Sequence, residues 1–176
     1  LSLEEYPNYP KLEDFIFANY GVIFTLPMAF LEKVFLIEDS KQYFLFRHFF
    51  NFIIFFISSI FFFFLLKKRF STLLSIIGLI FFYLSPRIFA DSFYNSKDIV
   101  FLSLFIISLF YAINFLNKLT YKNALFLSIA SSLAIASRIM GIIVPFVVII
   151  FFILRSLDDN SFFKKNIYKI IAFIIL

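Results

Sequence analysis

The sequence predicts an all-α fold, a polytopic bundle of transmembrane helices, and three observations predict it. The 176 residues are 62% hydrophobic and 15% charged, with a mean hydropathy of +0.98. Soluble domains run at roughly 45–50% apolar and about 25% charged, and they cannot hide so large an apolar excess from water. The apolar residues also collect into runs of bilayer length, where a hydrocarbon core about 30 Å thick needs roughly 20 apolar residues per helix. Finally, the Lys and Arg residues fall on alternate connections between those runs. A soluble globular enzyme is excluded, and so is a disordered chain, which needs few aromatics and high net charge. Without cysteine the chain has no disulfide framework, thiolate metal site or Cys nucleophile. The 32 Phe residues, in runs such as Phe61 to Phe64, are read as lipid-facing filler.

Taken in order, residues 1–43 form an extracytoplasmic first-loop remnant. Within it, residues 15–37 are read either as a short span or as a helix in the outer interface; 17 uncharged residues with an internal Pro27 favour the interfacial helix. Residues 44–176 form the transmembrane region. Its first span, 44–66, carries Arg47 and His48 near its start and is otherwise apolar from Ile53 onward apart from Ser58 and Ser59. The second, 70–86, stops at Ser85-Pro86, where proline imposes a helix boundary or kink. The third is 99–116. Residues 124–154 are too long for one straight span and short for two, so they are assigned to a helical pair, 124–137 and 139–154, turning near Arg138. An incomplete span, 167–176, closes the sequence. The expected total is five to six spans in a chain truncated at both ends: it opens on Glu4 and Glu5 with no basic signal region, and its apolar tail covers ten residues.

Orientation follows from the basic residues. Lys67, Lys68, Arg69, Lys118, Lys122, Arg155, Lys164, Lys165 and Lys169 lie on one common side, which is expected to be cytoplasmic. The other side holds residues 1–43, the loop 86–98, the turn at Arg138 and nine of the eleven acids, so the net charge of +5 divides into +7 inside and −2 outside. The basic balance is therefore a topology signal and does not imply nucleic-acid binding.

One segment departs from the apolar pattern. Residues 85–98 read SPRIFADSFYNSKD and place Arg87, Asp91, Lys97 and Asp98 at a bilayer boundary, where ionisable groups are costly and tend to mark substrate paths. The plain alternative is a solvated loop. If the segment is helical, Arg87 and Asp91 pair at i, i+4 and the two Asp residues share a face. Two carboxylates beside Arg and Lys suit a phosphate-bearing lipid, a divalent cation or acid/base work. Arg138 is a further phosphate ligand or a snorkelling helix-end arginine. Arg47-His48 ends its span on the same side. No Ser-His-Asp set or metal-spaced His cluster is present, and Gly21, Gly78 and Gly141 are too few and too scattered for a phosphate loop.

An acidic external segment with Tyr20-Gly21, an apolar stretch through Pro27, Arg47 opening a span, a basic inner turn, and a second external loop ending in Asp98 together form a pattern. With SPRIFADSFYNSKD, the following IVFLSLF and the later ASSLAIASRIMG, it resembles the polytopic C-type (GT-C) membrane glycosyltransferases, in the branch of the protein O-mannosyltransferases and the lipid A aminoarabinose transferases, over residues 15–155. The resemblance implies transfer of a sugar, with inversion, from a polyprenyl-phosphate carrier to an acceptor protein or glycolipid on the outer face of a bacterial inner membrane. It implies that an acid of the first external loop is the base; Glu4, Glu5, Glu13 and Asp14 are remnants of that loop. Asp98 matches the family acid that opens the fourth span, and with Asp91 it is the catalytic candidate. Arg138, Arg87, Lys97, Arg47 and Tyr20 are the candidates for holding the carrier phosphate and substrate. A transporter or flippase segment and a non-catalytic scaffold are the alternatives; span centres nearly free of ionisable groups disfavour transport.

Overall fold

The structure is a computed structural model and describes residues 22–37, 39–158 and 160–175. The described residues form helices and turns: α1 (Thr25–Val34), α2 (Ser40–Lys67), α3 (Thr72–Leu84), α4 (Pro86–Tyr94), α5 (Asp98–Asn117), α6 (Tyr121–Ser137), a 3-10 turn (Ile139–Ile142), α7 (Ile143–Asp158) and α8 (Asn160–Ile175). Several starts follow from local chemistry. Asp39, Ser71 and Thr120 sit in extended backbone before α2, α3 and α6, and each side chain accepts a hydrogen bond from an N–H three residues on.

The protein is an all-α membrane bundle. By length and composition α2, α5 and the stretch Ile139–Asp158 are able to cross a membrane, and α3 with α4 would make a fourth span bent by 64°. The five to six expected spans also included α6 and α8, which number 17 and 16 residues.

The packing is that of a protein dissolved in lipid. In hydrocarbon the apolar side chains gain little by hiding, so helices associate through small residues and hydrogen bonds. Ser58, Ser75, Ser92, Ser103, Ser108, Ala124 and Ala134 are fully buried, while Phe56, Ile57, Phe81, Phe151 and Leu154 face outward. Ser58 Oγ donates to Ser103 Oγ at 3.2 Å between α2 and α5, Ser59 and Tyr83 hydroxyls meet at 2.9 Å between α2 and α3, and Ser128 Oγ donates to Phe173 O at 2.9 Å between α6 and α8. The expectation that Phe61 to Phe64 are all lipid-facing needs correcting. Four successive residues go more than once round a helix, so Phe64 is exposed while Phe61 packs on Phe110 and Phe62 on Phe82.

Helix α5 is central and packs against α2, α4, α6 and α7. One core, with Phe115, Leu127, Val144, Val148 and Phe152, joins α5 through α8; a smaller one lays Phe24, just before α1, and Met28, in its first turn, over Val100 of α5 and Phe46 and Phe50 of α2. Helix α8 begins at Asn160, so Lys164, Lys165 and Lys169 stand on a helix and not in a connection. Its buried residues Asn166, Ile170 and Phe173 recur at the spacing of one helical face, which leaves Lys164 and Lys165 exposed and sets Lys169 at the edge of that face, bonded to Asn166.

Charged groups meet at both ends of α5. At its C-terminal end Lys68 bonds to Asn114 and lies 4.3 Å from the centre of the Phe110 ring, and Arg155 Nη1 donates to Leu116 O at 3.4 Å. Burial there lowers the Lys68 ammonium from its ordinary pKa. At the N-terminal end lie Asp98 and the polar segment, about 30 Å away for a helix of this length.

Candidate active site

Ser85-Pro86 interrupts the helical ladder. Proline lacks an N–H and has a helical φ, so it is tolerated at the first position of a new helix, and Pro86 opens α4 there. The C-terminal carbonyls of this short helix need partners once the end is buried. Asn51, buried within α2, supplies them: its Nδ2 donates to Ser92 O at 3.0 Å and to Asp91 O at 3.4 Å. The Asn95 N–H then closes on Asp91 O at 2.9 Å. Asn95 also reaches forward. Its Oδ1 accepts from the Asp98 N–H at 3.0 Å and its Nδ2 donates to Asp98 Oδ2 at 3.2 Å, which fixes both the start of α5 and the carboxylate in its first turn. The positive end of the helix dipole favours a carboxylate at that position.

Arg138 arrives from the other side of the bundle end. Helix α6 stops at Ser137, Arg138 is extended, and the 3-10 turn folds back against α6. The approach is so close that a Cβ on Gly141 would lie 2.6 Å from backbone atoms of Ala134 and Ile135, so the turn requires glycine. Thus held, Arg138 Nη1 donates to Asp98 Oδ1, and its guanidinium carbon lies 5.9 Å from the centre of the Phe101 ring, one turn along α5. The pair is open to the outside, with 31% of the Arg138 and 54% of the Asp98 side chain exposed.

The other candidates divide. Arg87 and Asp91 face each other at 4.0 Å along α4, with Arg87 almost wholly exposed. Arg47 is engaged elsewhere: its Nε and Nη2 fork onto Glu32 at 2.5 and 3.0 Å, and it stacks over Tyr43 at 4.4 Å, which ties α1 to α2. Lys97 directly precedes Asp98 at the start of α5. Tyr20, like Glu4, Glu5, Glu13 and Asp14, lies outside the described residues. The structure thus joins Asp98 to Arg138 through contact and to Asn95 through two hydrogen bonds, while Arg87–Asp91 and Arg47–Glu32 form separate pairs. Asn51 was missed by sequence reasoning, although an amide within the apolar length of α2 is itself a signal, since such a group must find a partner. Among the described residues no three His, Asp or Glu side chains gather as a metal-holding group.

A model of the dolichyl-phosphate-mannose-protein mannosyltransferase family matches residues 22–176. The chain belongs to that family. The protein is therefore a membrane glycosyltransferase of the mannosyltransferase type, and the resemblance to GT-C enzymes holds. The match includes α1 to α8 and so every described candidate residue; Tyr20 lies before it. Comparison with curated proteins and with solved structures gives no match.

Proposed function

We propose that the chain transfers a sugar from a polyprenyl-phosphate carrier to an acceptor hydroxyl on the extracytoplasmic side of the membrane, at the end of the bundle where Asp98 and Arg138 meet. The observation that carries this reading is the open Arg138–Asp98 pair, a guanidinium at the bilayer boundary beside a carboxylate at a helix start. The carrier is a lipid, so its phosphate arrives at that boundary. As the acceptor oxygen bonds to the anomeric carbon, the bond from that carbon to the carrier phosphate breaks and the phosphate leaves with the electron pair. A preset guanidinium offsets the growing charge.

Contact between Asp98 and Arg138 divides the labour. Inversion places the proton acceptor and the leaving phosphate on opposite sides of the anomeric carbon, and two touching side chains occupy one side. With Arg138 on the phosphate, Asp98 positions that guanidinium, and Lys97 adds positive charge nearby. The acceptor proton goes to a carboxylate elsewhere: Asp91 on α4, or one of the acids before residue 22. Arg87 stays paired with Asp91 along α4, or joins Lys97 at the phosphate.

The test is transfer from a polyprenyl-phosphate sugar by the full-length protein in membranes. Arg138→Ala lowers kcat by about 100- to 1000-fold, the scale for loss of one preset donor to a developing oxyanion. Asp98→Asn loses less than Arg138→Ala and shows it chiefly in kcat. Full activity in both variants removes the pair from the mechanism.

A further inference from the structure

Two adjoining cavities lie at the C-terminal end of α5, the opposite end of the bundle from Asp98. The larger, about 510 Å³, has apolar walls from Leu116, Phe151, Phe152 and Leu154. The smaller, about 410 Å³, is lined by Arg155, Lys165 and Lys169 with Asn117 and Asn166. They share Leu116, Asn117, Leu119, Arg155 and Phe162, so one amphipathic recess runs between α5, α7 and α8. Among the described residues, three cations and no carboxylate line the smaller part; Asp158 lines the larger together with Arg69 and Arg155.

Two of the three cations are held in place. Arg155 donates to Leu116 O and lies 4.6 Å from the centre of the Phe162 ring. Lys169 Nζ donates at 2.9 Å to Oδ1 of the buried Asn166, whose Nδ2 donates to Phe162 O at 3.0 Å. Three like charges gathered in one recess repel one another, and an anion bound among them relieves that repulsion. We propose that this recess binds an anionic glycerophospholipid, with the headgroup phosphate among Arg155, Lys165 and Lys169 and the upper acyl region along the apolar wall. That wall decides for a lipid over a free phosphate, because Phe151 and Leu154 also stand on the outward surface, where acyl chains run. Basic recesses between transmembrane helices are suited to this chemistry. The site is independent of the reading of Asp98 and Arg138.

The experiment is native mass spectrometry of the full-length protein released from vesicles of phosphatidylcholine with phosphatidylglycerol. The wild type retains phosphatidylglycerol in preference to phosphatidylcholine. Lys165→Gln/Lys169→Gln lowers that retention by about tenfold or more, Lys165→Arg/Lys169→Arg keeps it, and Lys122→Gln, which lies outside both cavities, leaves it unchanged. The arginine pair guards against reading a misfolded variant as a binding loss. Equal retention of the two lipids by the wild type, or undiminished retention in the glutamine pair, overturns the proposal. Displacement of the lipid by inorganic phosphate alone assigns the recess to a free anion and overturns it equally.

Discussion

Asn51 shows how one side chain shapes the candidate site without entering it. Its amide nitrogen bonds the last-turn carbonyls of α4, while its Oδ1 is buried with no partner among the described residues. Removing the amide has opposed effects: Asn51→Ala leaves the buried Ser92 carbonyl without its donor but also removes an unsatisfied oxygen, for a net loss of about 1 kcal/mol. Asn51→Asp is worse, since it sets carboxylate oxygens against carbonyl oxygens inside the bundle and costs about 3 kcal/mol or more. Thermal unfolding in detergent orders the three proteins, and an aspartate variant as stable as the alanine one would sink this account. Of the residues proposed from sequence, Arg138 and Asp98 were legible as costly charges at span ends. Their partnership was not, because nothing local links residues 40 apart. Arg47 was equally conspicuous, and its fork is spent on Glu32, 15 residues earlier.

At the scale of elements, the turn between α6 and α7 sets where Arg138 stands. Gly141→Ala places a methyl 2.6 Å from the backbone of α6, which has no flexible end to yield, so the turn moves. The expected loss is about 1–3 kcal/mol, together with reduced transfer. Gly78→Ala is the fitting comparison, because there the new carbon meets only Leu66 Cδ1, at 2.7 Å, the tip of a mobile side chain. Unfolding midpoints that fall equally for both variants would contradict this reading of Gly141. The break at Ser85-Pro86 was legible because proline acts locally. That α4 then turns by 64° and ends on Asn51 depends on a residue of α2 that lies 41 positions before Ser92 in sequence.

For the whole molecule, the positive-inside rule and the placement of charges at the two ends of α5 make one joint prediction. The chain has no cysteine, so single substitutions report sidedness cleanly. Ser96→Cys in the polar segment reacts with a membrane-impermeant maleimide added to intact cells, and Thr120→Cys reacts only after permeabilisation. Equal labelling of both at the outset would overturn the proposed orientation. The sequence by itself determined that this protein is an all-α membrane bundle, where its longest helices run, and which few residues carry charge, since these depend on composition and on runs that are local along the chain. Only the tertiary structure decided that Arg138 meets Asp98 while Arg47 meets Glu32, that Asn51 caps α4, and that three cations of α7 and α8 line one recess. In lipid the apolar surface gives little direction to helix packing, so partners are chosen by shape, small residues and buried hydrogen bonds across the bundle, and these exist only once the helices are side by side.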